Sequence, residues 1–114
     1  MKKIIDLRIL RATREDAYPI AEISSDVAKE GMVKEFEPEE LMGILSSEKY
    51  YIALAKLNEE DVGYVMSTYS WGKLHILDVA VRKSRRRMGI GKILIKHLIH
   101  HAIKKGLPEA YSEV

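Results

Sequence analysis

Apolar residues recur along the chain with two different periods. Residues 7–12 alternate and are apolar enough for a first strand, and Thr13-x-x-Asp16 then offers a capping-box entry to a helix. Pro19 belongs in an early helical turn, which puts the helix start nearer Asp16 than Thr13. Ile20, Ile23, Val27 and Ala28 form its inner face, and Gly31 ends it. A second, shorter helix follows Pro38, with Glu39 and Glu40 in the first turn and Leu41, Met42, Ile44 and Leu45 as its apolar side. Residues 50–57 and 62–69 are rich in β-formers and are separated by Asn58-Glu59-Glu60-Asp61, a hairpin turn. Another turn at Trp71-Gly72-Lys73 leads into residues 74–81, which predicts three antiparallel strands in meander order. A helix starting near Gly91 buries Ile93, Leu94, Leu98, Ala102 and Ile103 and stops at Lys104-Lys105-Gly106-Leu107-Pro108. Residues 110–114 then open a strand, so that strand, helix and strand make a right-handed crossover with two parallel strands. The predicted class is α/β (α+β), a mixed sheet of four antiparallel strands and a fifth parallel one, flanked by helices.

Composition fixes the scale. A chain of 114 residues holds one domain, and 46% hydrophobic content supports a real core. The net charge is only +2, yet residues 82–92 carry six of the 19 basic residues, which leaves 13 basic against 17 acidic elsewhere. The positive charge is therefore local, as a single anion pocket requires. Without cysteine there is neither a disulfide framework nor thiol chemistry, and no apolar run is long enough for a signal peptide or a membrane span. The expectation is a soluble cytoplasmic protein with no membrane partner. One Asn and no Gln, beside many Lys, Glu and Ile, lean toward a heat-adapted source, with five Met counting against it.

The densest chemical signal is Arg86-Arg87-Met88-Gly89-Ile90-Gly91-Lys92, between the strand at 74–81 and the last helix. A helix start has N–H groups without intrahelical partners and the positive end of the dipole, so glycines that admit a ligand make it an anion site. The spacing excludes two commoner readings. A Walker loop needs Gly at 86 and Ser or Thr at 93, where Arg86 and Ile93 stand, and a dinucleotide fingerprint needs a third glycine where Leu94 stands. A phosphate ligand held without magnesium is the reading left. Met88 and Ile90 are taken as packing residues that set the shape of the turn.

These residues carry a resemblance. The string LHILDVAVRKSRRRMGIGKIL over residues 74–94 resembles the acetyl-coenzyme A motif of the GNAT superfamily of N-acetyltransferases, and the order of the preceding elements fits as well. The resemblance implies that Val79, Ala80 and Val81 give strand contacts to acetyl-coenzyme A. It also implies that Arg86, Arg87, Met88, Gly89, Ile90, Gly91 and Lys92 cradle the pyrophosphate, and that the Val79 amide faces the thioester carbonyl. A fixed donor there stabilises the negative charge that develops on attack by an amine.

Amine acetylation also needs a base, because an ammonium must lose its proton before it attacks. Ser112-Glu113-Val114 resembles the end of the fifth strand in the ribosomal-protein amino-terminal acetyltransferases, which makes Glu113 the first candidate. Asp78, on the opposite sheet face from Val79, is the second. For either carboxylate the bland alternative is a solvated or salt-bridged strand residue. His75 could relay a proton or simply pack. His97 and His101 lie one helical turn apart, but with His100 they continue a lysine-rich side, so a solvated face is expected and no metal. Tyr50, Tyr51, Tyr64, Tyr69 and Trp71 read as sheet and rim residues, and the acids between Glu30 and Glu40 as a solvated connector, with selection of a cationic substrate as the sharper alternative.

The pattern breaks at Val114. Members of the family continue with a further helix and a last strand pair, so one N-acetyltransferase domain over residues 1–114, incomplete at its C-terminal side, is expected. A last strand without a cover invites a homodimer. Three functions stay open: acetyl transfer to a primary amine, with a protein or peptide amino terminus as acceptor; a catalytically incomplete acyl-coenzyme A binding module; and nucleic-acid binding through residues 82–92. Low net charge and the absence of interleaved aromatics weigh against the last.

Overall fold

The computed structural model describes residues 6–31 and 34–106. Strand β1 (Leu7–Arg11) leads through a 3-10 turn at Arg14–Asp16 into helix α1 (Ala17–Ala28). The predicted capping box sits on the 3-10 turn, where the Thr13 amide donates to Asp16 Oδ2 at 2.8 Å. Helix α2 (Pro38–Ser46) starts with Pro at its first position and two acids in its first turn.

Three strands follow, β2 (Tyr50–Leu57), β3 (Glu60–Ser70) and β4 (Lys73–Val81), and the sheet order is β1-β2-β3-β4 with every pair antiparallel. Both hairpins are tighter than the sequence implied, two residues each, with Asn58 and Glu59 in one and Trp71 and Gly72 in the other all at positive φ. Such turns match the twist of the flanking strands. After a second 3-10 turn at Lys83–Arg85, helix α3 (Ile90–Lys104) begins one residue earlier than Gly91, and Gly106 lies just beyond its end at φ +78°. The expected parallel strand at 110–114 lies outside the described residues.

Helices cover both faces of the sheet. On one face α1 and α2 pack Ile20, Ile23, Val27 and Leu41 against Ile52, Leu54, Tyr64 and Met66. On the other, α3 packs Ile90, Leu94, Leu98 and Ala102 against Ala53, Val62, Val65, Leu74 and Ile76. The buried stripe of α3 therefore runs at intervals of four, flanked by partly buried Ile95 and Ile99. Ile93 and Ile103, expected inside, face outward at 37% and 60% exposure, because a helix laid along one stripe cannot also bury the neighbouring one.

Two bulges shape the centre of the sheet. One shifts the β2–β3 register between Ala55 and Lys56, and the other shifts β3–β4 between Met66 and Ser67, which leaves Leu77 as the extra residue of β4. This second bulge decides which side chains of β4 face which layer. Leu74 and Ile76 lie on the α3 face; beyond the bulge Val79 and Val81 take that face, while Ala80 packs with α1 and α2.

Candidate active site

The C-terminal end of β4, the glycine turn and the first turn of α3 come together at one corner. The Arg82 amide donates to the Val62 carbonyl at 2.8 Å, and the register pairs Tyr64 with Ala80 and Met66 with Asp78. Antiparallel alternation then turns the amides and carbonyls of Asp78 and Ala80 toward β3 and those of Val79 and Val81 away from it. The Val81 carbonyl accepts from Arg86 Nε at 3.1 Å, on the side away from β3.

The turn itself is built for open backbone. Arg87 at φ +68° and Gly89 at φ +76° reverse the chain, and Gly89 caps α3 in the left-handed region that favours glycine. A Cβ on Gly89 would meet nothing within 4 Å, and one on Gly91 would meet only Val81 Cγ2, at 3.9 Å. Packing within the described residues thus gives no reason for glycine at 91, whereas close approach of a ligand to the helix N-terminus does. Ile90 is buried as expected of a packing residue, but Met88 is 45% exposed, because the left-handed turn on either side of it lifts it off the core.

Three of the six cations at residues 82–92 are engaged in ion pairs. Arg86 Nη1 lies 2.8 Å from Glu30, which is held below the usual carboxylate range first by that hydrogen bond. Arg85 pairs with Glu60 at 2.6 Å, and Arg82 contacts Glu22 at 2.9 Å, Asp26, and the Asp61 carbonyl at 2.8 Å. These bonds strap the turn to the end of α1 and to the β2–β3 hairpin. Arg87 and Lys92 are exposed and make no ion pair among the described residues, so they are the cations of this turn available to an anion. Glu30 and Glu40 are exposed, as a solvated connector implies, but each also holds a cation, Glu40 pairing with Lys34 at 2.7 Å.

Asp78 lies on the opposite face from Val79, half-buried, with its Oδ2 accepting the Tyr64 hydroxyl at 2.7 Å. Burial raises its pKa; the Tyr64 hydrogen bond and the Val79 amide pull it part of the way back. Tyr64 is fully buried and its phenol is pushed well above the ordinary range, first by burial and then by Asp78, so it stays a donor. The carboxylate opens onto a cleft of about 460 Å³ between β4 and the segment from Lys34 to Ile44. Glu113 lies outside the described residues.

The histidines differ from expectation. Tyr51 Oη lies 2.9 Å from His97 Nε2, and the Tyr51 and His101 rings stack at 3.8 Å, with the Arg11 guanidinium 5.2 Å from the centre of the Tyr51 ring. His97 and His101 are half-buried packing residues rather than a solvated face, because β2 presents an aromatic exactly under the helix turn they share; His100 alone is exposed. Among the described residues no group of three or more His, Asp or Glu could hold a metal ion, and no helix is long and apolar enough to cross a membrane.

Sequence reasoning missed the Tyr64–Asp78 bond and the aromatic–imidazole stack. Only the bulge at Leu77 gives the face of Asp78, and no spacing signals a bulge of this kind.

With this geometry in place, comparison with known proteins is decisive at the level of the family. Residues 9–114 match the model of the acetyltransferase (GNAT) family. The chain belongs to that family. An uncharacterized N-acetyltransferase of Methanocaldococcus jannaschii is 29% identical over 73 residues, which span 64% of this chain and 47% of that relative, so the matched segment covers about half of the relative's length. Among solved structures, a possible acetyltransferase from Clostridium difficile 630 superposes with a TM-score of 0.80 at 25% identity, covering 93% of this chain and 77% of that one. An aminoglycoside acetyltransferase from an uncultured soil metagenomic sample, in complex with trehalose, gives a TM-score of 0.77 at 25% identity, covering 95% and 77%. Membership of the GNAT family accounts for the two-layered cover of the sheet and for the glycine turn at its corner.

Proposed function

We propose that the chain transfers the acetyl group of acetyl-coenzyme A to a primary amine, and that the acceptor is the amino terminus of a protein or peptide. The observation that carries this reading is the corner itself: a glycine helix start with free backbone, beside strand amides at Val79 and Val81 that turn away from β3. The residues present fit a phosphorylated, thioester-bearing co-substrate. Amides of the α3 start, with Arg87 and Lys92, would hold its pyrophosphate, and Val79 and Val81 would bond its extended arm. When bound, acetyl-coenzyme A supplies an activated acyl carbon and a thiolate leaving group. On the protein side, the Val79 amide, which also bonds the Asp78 carboxylate, would stabilise the oxygen as the new N–C bond forms and the C–S bond breaks. The ammonium proton is assigned to Asp78, a role its raised pKa supports, with Glu113 as the other candidate base.

Amino-terminal acceptors are favoured by the likeness of residues 74–81 and of Ser112-Glu113-Val114 to the corresponding strands of the amino-terminal acetyltransferases. The expected homodimer is kept within the proposal because β4 pairs on one side only among the described residues; sedimentation as a monomer at micromolar concentration would remove it.

Calorimetric titration of the chain with acetyl-coenzyme A, and in parallel with dephospho-coenzyme A, tests the reading. Saturable binding that disappears in an Arg87→Ala, Gly89→Glu double variant with an unchanged circular dichroism spectrum is the expected result. Failure to bind at millimolar ligand would refute it.

A further inference from the structure

The cleft beside Asp78 has a composition that selects among amines. Its walls are apolar, formed by Phe36, Ile44, Met66 and the bulge residue Leu77, and Leu77 is 53% exposed into the opening. Besides Tyr50, two charged features line it. One is the Asp78 carboxylate, whose Oδ1 makes no side-chain hydrogen bond. The other is the ion pair of Lys34 and Glu40 at 2.7 Å, in which Lys34 Nζ also lies 5.0 Å from the centre of the Phe36 ring. Glu40 is therefore spent on Lys34, and its pKa is held below the ordinary range by that bond.

The walls are also fixed in place. Ser24, fully buried in α1, accepts the Phe36 amide at 3.1 Å through a hydroxyl that itself donates to the Ala21 carbonyl at 2.9 Å. That bond locks the backbone of the segment carrying Phe36 against α1. Met66 is 2% exposed and held in the sheet. Among its described lining residues the cleft has apolar walls, one carboxylate without a paired cation, and an ion pair at its rim.

We infer that the cleft takes an acceptor with a single primary amine next to a bulky apolar group, and discriminates against polyamines and other polycations. This deepens the acetyl-transfer reading and rests on it for the meaning of "acceptor". Charge matching and desolvation set this preference. A monoamine places its nitrogen on Asp78 and its apolar substituent between Phe36, Ile44 and Leu77, where burial is favourable. A polycation would have to bring its further ammonium groups against apolar walls and a lysine, with no second unpaired carboxylate among the described lining residues to receive them. The shared chemistry can come from two sources, a free aryl-alkylamine or a peptide amino terminus whose first side chain is large and apolar.

The test is equilibrium binding by calorimetry to the full chain saturated with coenzyme A, using 2-phenylethylamine, a tripeptide beginning with Phe, a tripeptide beginning with Gly, and spermidine. The expected result is that phenylethylamine and the Phe peptide bind at least tenfold more tightly than the Gly peptide and spermidine. An Ile44→Asp variant, which replaces an apolar wall with a second carboxylate, should shrink that preference several-fold while leaving coenzyme A affinity unchanged. Tighter binding of the Phe peptide than of phenylethylamine assigns the acceptor to peptides; the reverse assigns it to free amines. Spermidine binding as tightly as phenylethylamine, no detectable binding of either apolar amine, or a preference untouched by Ile44→Asp would overturn the inference. Thiol release from acetyl-coenzyme A is measured in the same mixtures. Selective binding without thiol release for any amine would refute acetyl transfer and leave the selectivity standing, so the two failures are distinguishable.

Discussion

At the scale of the residue, Asp78 is the group at which the proposed activity would be set against stability. Its folded pKa lies above the ordinary value of 3.8, so the native state binds a proton more tightly than the unfolded chain. Stability attributable to this group is therefore greatest at low pH and declines as pH rises through the window between the two values. At neutral pH the ionised carboxylate is a cost, which Tyr64 reduces through its 2.7 Å bond. Asp78→Asn should then leave the melting temperature unchanged or higher, while kcat/KM for acetyl transfer falls by roughly 10²–10⁴-fold, the usual contribution of a positioned base. Tyr64→Phe removes a hydrogen bond that lowers the Asp78 pKa, so the acidic limb of the pH–rate profile should move to higher pH. An unmoved limb would show that Asp78 is not the group that limits the rate in acid.

At the scale of the element, α3 is seated on the sheet by its apolar stripe and by the imidazole–tyrosine stack. Burial lowers the pKa of both His97 and His101, helped by His100 in the first case and by Lys105, Arg11, His97 and Lys104 in the second. The folded values lie below the unfolded value of 6.5, so this contribution is fully present above that pH and is lost as pH falls below it. Tyr51 and Tyr69 also face these rings and stay neutral, with the Tyr69 phenol raised by burial to about 12. Melting temperature should thus drop between about pH 7 and pH 5. His101 Nε2 is buried without a hydrogen-bond partner among the described residues, so His101→Phe keeps the stack, has no donor to lose and should flatten that drop. Strand β3 makes a different demand. A Cβ on Gly63 would lie 2.8 Å from the Ala80 carbonyl, a backbone atom that cannot step aside. Gly63→Ala should cost about 1–3 kcal/mol in a urea titration, and should also weaken coenzyme binding by displacing β4 at Ala80.

At the scale of the whole molecule, the ion pairs of the 82–86 segment tie three separate parts together. Arg82 is the centre of this arrangement: its side chain is 15% exposed and reaches α1 through Glu22 and Asp26 and β3 through the Asp61 carbonyl. Its acidic partners are largely solvated, so the pairs are worth less than their short distances imply. The bond to the Asp61 carbonyl and the packing of the stem carry more of the effect. Arg82→Ala should lower stability by about 1–2 kcal/mol, seen as a lower urea midpoint with an unchanged slope. The loss should be smaller in 0.5 M salt if ion pairing contributes most of it, and insensitive to salt if the carbonyl bond does.

The sequence alone determined the described elements and singled out the glycine turn proposed to bind an anion. Alternation marks the strands, Pro38 and Gly106 punctuate the helices, and Arg86-x-x-Gly89-x-Gly91 carries its family signature because backbone approach to a phosphate tolerates few other residues. These features are local, readable within one helical turn or one hairpin. Tertiary structure decided everything that depends on which face a residue takes and what stands across from it. The bulge at Leu77 turned Asp78 toward Tyr64 and the apolar cleft, the four-residue stripe of α3 put Ile93 and Ile103 outside, and the sheet laid Tyr51 under His97 and His101. Glu30 was recruited from 56 residues away to hold Arg86. The physical reason is that periodicity constrains a side chain's direction only relative to its own backbone. A single inserted residue reverses that direction, and long-range pairing is settled by packing the layers together.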